Sequence, residues 1–196
     1  MNIKDWIKNN KHEIKEWAET IIVATLIALF IRSFIVQPFK IPSGSMRETL
    51  LEGDRIFVNR FVYGLRIPFT TIRFFKFHSP NRGDIIVFNY PEEPKRAFIK
   101  RLIGKGGDVI EIKEGKIYVN SKEFDHPSVK NIYYYNRGDY GLIDQKITVP
   151  KNSYYVLDDN SRSSKDSRFW GFVDDKYLIG QAFFIYWPIN RIRVTK

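Results

Sequence analysis

The chain has 196 residues, of which 43% are hydrophobic, and it carries a formal net charge of +10 without any cysteine. This balance excludes an intrinsically disordered chain, and the lack of cysteine excludes thiol catalysis, thiolate metal sites and disulfide bonds. We expect one folded domain preceded by one apolar N-terminal segment.

The N-terminal part of the sequence divides at residue 17. Residues 1–17 mix lysine and glutamate with two tryptophans, which indicates a short amphipathic helix on the cytoplasmic surface of a membrane. Residues 18–36 are almost uninterrupted apolar sequence, and as a helix they would span roughly 28 Å, close to the ~30 Å hydrocarbon core of a bilayer. We therefore predict one transmembrane helix over residues 18–36; the alternatives are a buried core helix and a cleavable secretory signal.

Orientation is not decided by the basic residues on the two sides of this segment, because they occur before and after it. A long folded domain can be translocated regardless of its charge. We predict a single-pass protein of the cytoplasmic (inner) membrane with a cytoplasmic N-terminus, and residues 37–196 as a β-rich domain on the extracytoplasmic face.

After residue 45 the sequence consists of short β-type runs separated by turns rich in glycine and aspartate. The predicted strands cover residues 56–63, 84–90, 97–103, 108–112, 116–119, 153–157 and 178–187. The expected fold class is mainly β: an N-terminal transmembrane helix followed by an antiparallel barrel-like domain, with a sandwich as the alternative and 113–116 as the clearest hairpin turn.

Segment 66–78 alternates basic residues with phenylalanines. This pattern suits an anionic membrane surface or single-stranded nucleic acid, and it equally suits an ordinary strand with one apolar face. Between the two ligands we favour membrane lipid and expect no nucleic acid, because the domain is already tethered beside a bilayer and is net positive.

The turn Ser43-Gly44-Ser45 follows the apolar segment and can present a nucleophilic hydroxyl to a membrane-borne substrate, or it can be a polar linker. His12 is predicted to lie across the membrane from His78 and His126, so a Ser-His-Asp triad or a multi-histidine metal site is poorly supported. A serine nucleophile then needs another base, and a lysine amine serves only where desolvation lowers its pKa towards neutral.

Lys100 meets this requirement best, since it lies among apolar residues on the predicted strand 97–103. With the two-residue period of a strand, Lys100 shares a face with Phe98 and Leu102 and is predicted to point inward, whereas Arg101 is predicted to face solvent. The alternative is an exposed lysine on an edge strand.

The polar run 158–171 lies between two predicted strands and is either an exposed loop or part of a site. Asp166 and Arg168 can form an ion pair. A hydroxyl such as that of Ser164 can hydrogen-bond a neutral lysine and direct its lone pair.

In this order, these stretches resemble the bacterial type I signal peptidases, membrane-anchored serine endopeptidases that use a Ser/Lys dyad. The similarity runs from the apolar segment to about Ala182. It is carried by Arg32-Ser33-Phe34, Pro42-Ser43-Gly44-Ser45-Met46 with Thr49-Leu50, Gly53-Asp54, Arg82-Gly83-Asp84-Ile85, Lys100-Arg101 with Gly104 and Gly107-Asp108, and Asp159-Asn160 with Ser164 and Asp166-Ser167-Arg168-Phe169-Trp170-Gly171.

The resemblance implies that the protein removes N-terminal signal peptides from exported preproteins, near the export machinery and without a cofactor or metal. By position, Ser45 matches the nucleophile and Lys100 the general base. The backbone N–H of Ser45 and the hydroxyl of Ser43 match the oxyanion hole. Ser164 matches the hydroxyl that orients the lysine.

Other matched positions are supporting ones. Asp166 and Arg168 match an ion pair that is structural rather than chemical. The walls of the small pockets for the −1 and −3 side chains of a signal peptide are matched by Ile41, Met46, Leu50, Phe98 and Ile99; such pockets reject larger side chains sterically.

The chain departs from the commonest family pattern at several positions. Glu48 replaces a proline, Lys105-Gly106 replaces a Leu-Pro pair, Asp158 replaces a glycine, and residues 161–163 replace Arg-Asp-Asn. None of these changes removes a member of the dyad. Asp158 is expected nearest the substrate groove, so the resemblance does not define the shape of the specificity pocket there.

Two other functions fit parts of the sequence. The SOS-response repressor autoproteases are related Ser/Lys proteases, but they require a DNA-binding domain where this chain has an apolar segment. A non-enzymatic alternative is a tethered β-barrel that binds anionic lipid through residues 66–76.

Overall fold

The computed structural model describes residues 11–66, 73–74, 78–163 and 165–195. Its helices are α1 (Lys11–Phe34) and the single turn α2 (Ser167–Trp170), with 3-10 turns at Gly44–Met46, Ser161–Ser163, Asp175–Tyr177 and Ile189–Arg191. Its strands are β1 (Val36–Lys40), β2 (Arg55–Asn59), β3 (Leu65–Arg66), β4 (Arg73–Phe74), β5 (Ile85–Tyr90), β6 (Glu93–Lys105), β7 (Val109–Lys113), β8 (Lys116–Val119), β9 (Lys122–Glu123), β10 (Ile147–Thr148), β11 (Ser153–Leu157), β12 (Val173–Asp174), β13 (Leu178–Trp187) and β14 (Arg193–Val194).

Helix α1 begins with a charged segment and is almost entirely apolar from Ile21 to Ile31, and none of its residues is buried against the rest of the chain. Its 24 residues give a length of about 36 Å, enough by length and composition to cross a membrane. The hydroxyls of Thr20 and Thr25 donate to backbone carbonyls one turn earlier in the same helix. The helix begins before the predicted residue 18 and ends two residues before the predicted residue 36; residues 1–10 lie outside the described residues.

One residue, Ile35, joins α1 to β1. Its N–H donates to the carbonyl of Ile31 in the helix, and its carbonyl accepts from the N–H of Arg60 beyond β2. The helix therefore passes into the sheet through continuous backbone hydrogen bonding.

The strands form antiparallel sheets. The largest has the order β1-β2-β13-β5-β6-β11-β12, with β14 added to β13; β10-β7-β8-β9 form a second sheet and β3-β4 a third. The predicted mainly β, antiparallel fold is confirmed. The barrel-like description is too strong, because in the described part of the chain the end strands β1 and β12 do not pair and the sheet stays open.

Strand positions agree closely with the sequence prediction at 116–119, 153–157 and 178–187. The predicted hairpin turn at 113–116 is also present, with Glu114 and Gly115 both at positive φ, as a two-residue type I′ turn requires. Strand β1 was not predicted, and its Pro38 has no N–H to donate to a sheet. It is accommodated because β1 is the edge strand of its sheet.

Strand β6 lies between β5 and β11 and is the element around which the interior is built. Apolar clusters pack on both of its faces, one with Ile99 at its border and another containing Leu102. A third cluster, which includes Ile103, fills the space beside the second sheet. Successive residues of β6 from 100 to 104 are therefore covered on both sides, whereas residues 93–97 are exposed.

Candidate active site

The turn that carries Ser45 is held by contacts with the core and with the loop after β11. The chain leaves β1, and Ile41 exchanges backbone hydrogen bonds of 2.9 Å with Asp54 and Gly53 before the 3-10 turn Gly44–Met46. Met46 is fully buried, which holds the turn against the core. Asn160 then donates its backbone N–H to the Ser45 carbonyl at 2.8 Å and its side-chain amide to Gly44 at 3.1 Å.

Lys100 reaches this turn from β6. Its Nζ lies 3.2 Å from Oγ of Ser45, within hydrogen-bond distance. The lysine is only 5% exposed and is paired opposite Ile86 of β5. Its predicted inward orientation is confirmed.

The predicted exposure of Arg101 is wrong, because this residue is fully buried. Its guanidinium donates to both carboxylate oxygens of Asp159, at 2.8 and 2.7 Å, to the carbonyl of Gly83 at 2.6 Å and to Oγ1 of Thr49 at 3.0 Å. Thr49 in turn donates to Asp159 at 2.6 Å. The two-residue period of a strand predicted that the Arg101 face of β6 is exposed to solvent. In the structure, the loop after β11 covers this face.

Asp158 occupies the centre of the site. It is fully buried, and its Oδ1 lies 2.6 Å from Nζ of Lys100. Burial raises its pKa to about 6, although the charge of Lys100 and hydrogen bonds from Lys100 and Ser45 act in the opposite direction. Sequence reasoning assigned Asp158 no chemical role; the available signal was a carboxylate at a position where the resembling family has glycine.

Asp166 and Arg168 form a buried ion pair beside Asp158. Nε and Nη2 of Arg168 donate to the two oxygens of Asp166 at 2.8 and 2.7 Å, and neither side chain is exposed. Asp166 also accepts from the backbone N–H of Asp158 and caps α2. The pair thus fixes the loop that carries Asp158. Ser164, which was predicted to orient the lysine, lies outside the described residues.

An open groove of about 450 Å³ runs past Ser45 and Lys100. Phe98 and Ile99 line it, whereas three other predicted pocket residues, Ile41, Met46 and Leu50, are buried in the core. Among the described residues, those that line the groove are Pro42, Ser43, Ser45, Tyr90, Glu92, Arg96, Ala97, Phe98, Ile99, Lys100 and Lys165.

Aromatic rings shape one end of this groove. Phe98 stacks on Tyr90 with a centroid separation of 4.5 Å, and Tyr90 meets Trp170 edge-on at 5.7 Å. The Tyr90 hydroxyl donates to Glu92, and burial together with this hydrogen bond raises the pKa of Tyr90 to about 12. Stacked rings of this kind give the wall a fixed, apolar surface.

One edge of β6 is open beside Ser45. Strand β5 pairs with β6 along its other edge, and β11 pairs with it only from Arg101 to Lys105. Within the described ranges, residues 97–100 therefore have no strand on the groove side. An extended peptide can add to such an edge by main-chain hydrogen bonds.

The described part of the chain contains no group of three or more His, Asp or Glu residues placed to hold a metal ion. No histidine is present among the residues that line the groove. The titratable side chains that hydrogen-bond Ser45 in this part of the chain include those of Lys100 and Asp158.

Comparison with known proteins identifies relatives along most of the chain. A family model described as signal peptidase, peptidase S26, matches residues 14–187. Signal peptidase I of Pseudomonas aeruginosa is 33% identical over 92% of this chain and 75% of its own length; signal peptidase I T of Bacillus subtilis is 32% identical over 100% and 96%. A crystal structure of a signal peptidase I from Enterococcus faecalis is 31% identical, covers 53% of this chain and 97% of its own, and has a TM-score of 0.45.

Proposed function

Because the chain belongs to the peptidase S26 family of signal peptidases, which are serine endopeptidases, we propose that it cleaves preproteins with Ser45 as nucleophile and Lys100 as general base. The observation that carries this assignment is the 3.2 Å separation between Nζ of Lys100 and Oγ of Ser45 in a largely buried setting. A general base must lie within about 2.6–3.2 Å of the group it deprotonates.

The proposed reaction begins when neutral Lys100 takes the proton of Ser45 as Oγ attacks the scissile carbonyl. The oxyanion that forms is stabilised by the backbone N–H of Ser45 and the hydroxyl of Ser43. Ser43 is suited to this because it is exposed, lines the groove and uses its hydroxyl in no helix-capping hydrogen bond. Lys100 then gives a proton to the leaving amine, and the acyl-enzyme is hydrolysed by a water that Lys100 activates.

The substrate is proposed to bind as an extended strand along the open edge of residues 97–100. Phe98 and Ile99 line the groove beside this edge and would contact the side chains that precede the scissile bond. Ile41, Met46 and Leu50 would limit the depth of the pockets from the core side, which favours small side chains at −1 and −3.

We further propose that α1 anchors the protein in the cytoplasmic membrane, with the N-terminus inside and the β domain outside. The support is an apolar helix with no buried residue and with its threonine hydroxyls bonded internally. Membrane lipids and the export machinery are then the neighbours of the domain. Retention of the full chain in carbonate-washed membranes, with the domain protected from protease in intact cells and digested in spheroplasts, would support this topology. Digestion only after the cytoplasmic membrane is opened would contradict it.

The catalytic assignment is tested with the full chain in detergent and a preprotein that carries its signal peptide. We expect Ser45→Ala, Lys100→Met and Lys100→Arg each to lower kcat by about 10³-fold or more. The first variant lacks the nucleophile and the second lacks the base. The third fails because a guanidinium stays protonated and cannot act as a base. Ser153→Ala and Lys105→Met are matched controls away from the groove, and Lys105 lies on the same strand as Lys100. Mass spectrometry of the product gives the cleavage position, and near-normal activity in a Ser45 or Lys100 variant would reject the assignment.

A further inference from the structure

The closest partner of the Lys100 amine is a carboxylate rather than the serine. Nζ lies 2.6 Å from Oδ1 of Asp158 and 3.2 Å from Oγ of Ser45. The side chains of Lys100 and Asp158 are 7% and 0% exposed. A lysine held in this way as an ammonium has no lone pair for the serine proton, so the proposed dyad must include a path for that proton.

We propose that Asp158 is a positioning residue that shares one proton with Lys100, so that the amine becomes neutral beside Ser45 without releasing a proton to solvent. This inference rests on the proposed function. It assigns the reaction a third participant that acts through the lysine and does not touch the substrate.

The surroundings of Asp158 favour proton sharing over a permanent ion pair. Its carboxylate faces Lys100 from β6 and Ser45 from the 3-10 turn, and Asp166 adds a second negative charge that is neutralised by Arg168. Burial disfavours charged forms, and it raises the pKa of Asp158 to about 6. Proton transfer removes two charges from a buried site, and it follows a hydrogen bond that already exists.

The step balances without any further reactant. An N–H bond of the Lys100 ammonium breaks and an O–H bond forms at Oδ1, which leaves a neutral amine and a carboxylic acid. The amine then takes the proton of Ser45 as Oγ bonds to the scissile carbon. The pair now holds two protons, and one of them passes through Lys100 to the leaving amine as the C–N bond breaks.

Proton sharing changes which ionisation limits activity at acid pH. The Lys100–Asp158 pair can accept the proton of Ser45 when the pair holds one proton, but not when it holds two. The acid limb of the pH–activity profile therefore follows the titration of Asp158 near pH 6. Without the carboxylate, Lys100 must lose its proton to solvent before it can act. The acid limb of such a variant therefore lies at higher pH.

The test measures kcat and KM from pH 5 to 10 for the full chain and for Asp158→Asn, a near-isosteric change. We expect the acid limb of Asp158→Asn to move to higher pH and kcat at pH 7 to fall about 10- to 100-fold, the range for losing a hydrogen bond to a charged group. KM should change less than about twofold, since Asp158 is not among the groove-lining residues. Glu111→Gln removes another largely buried carboxylate that pairs with a lysine, 2.9 Å from Nζ of Lys113, and its profile should match that of the parent.

An acid limb of Asp158→Asn at the same or lower pH would overturn the inference, because it would mean that the carboxylate only keeps Lys100 protonated. Asp158→Ala gives a second profile should the amide variant fold poorly, which thermal unfolding reports. If Ser45→Ala still cleaves, the proposed function fails. If Ser45→Ala is inactive and the Asp158 profiles match the parent, only the proton-sharing inference fails.

Discussion

Replacing Arg101 with methionine tests whether the buried ion pair beside Lys100 stabilises the fold. The change removes a guanidinium that is fully buried and leaves Asp159 without its countercharge. We expect the free energy of unfolding to fall by about 3–5 kcal/mol, the usual cost of removing one partner of a buried pair.

The hydrogen bonds of Arg101 account for this magnitude. Two of them go to Asp159 and one each to Gly83 and Thr49. Hydrogen bonds to charged groups contribute about 1.5–3 kcal/mol each, but bonds that share one group do not add fully. For a protein of this size the expected loss corresponds to a decrease in Tm of about 6–20 °C.

The assay is urea unfolding of the full chain in detergent, followed by tryptophan fluorescence. Arg137→Met is the matched control: its guanidinium donates to a backbone carbonyl at an exposed position, and we expect a loss below about 1 kcal/mol. The double variant Arg101→Met with Asp159→Leu should recover most of the stability, because no buried charge remains unpaired. A single variant within about 1 kcal/mol of the parent would refute the reasoning, and so would a double variant as unstable as the single one.

Two further predictions concern parts of the molecule away from the groove. Burial alone would raise the pKa of Asp108, but hydrogen bonds from Arg82 and neighbouring groups outweigh burial, and the pKa in the folded protein is lowered. The ionised carboxylate therefore stabilises the fold at pH values above its unfolded pKa, and this stabilisation is lost as the pH falls below about 4. Urea midpoints at pH 7 and pH 3 should therefore differ less in Asp108→Asn than in the parent; an equal difference would contradict the linkage. Gly115→Ala should destabilise the hairpin between β7 and β8 by at least about 1 kcal/mol, since Gly115 has φ of +79° and a Cβ would lie 2.2 Å from the Tyr133 ring. Thermal unfolding measures this loss, and an unchanged Tm would show that the turn relaxes freely.

Local sequence chemistry predicted the elements whose structure is set within a few residues. The hairpin at 113–116 follows from a glycine at a positive-φ position, and the inward orientation of Lys100 follows from its apolar neighbours and the two-residue period of a strand. Such features need no knowledge of the rest of the chain.

The sequence did not predict contacts between segments that are far apart along the chain. Arg101 is buried because Asp159, 58 positions later, covers its face of β6, and no pattern within 97–103 carries that information. The contact between Asp158 and Lys100 has the same origin and separation. Strand β1 was also not predicted; it forms by pairing with β2, and Pro38 is tolerated there because β1 is an edge strand.

Because the single residue Ile35 connects α1 to β1, these two elements set the distance between the end of the helix and the serine. A protein tethered by a long flexible linker can sample many heights above a bilayer, whereas here hydrogen bonding continues from the last turn of the helix into the sheet. From Phe34 to Ser45 the backbone can extend at most about 40 Å, of which β1 supplies about 17 Å. If α1 spans the membrane as proposed, the depth at which the anchor sits sets the height of the serine above the lipid, and so selects how far from its apolar core a signal peptide can be cut.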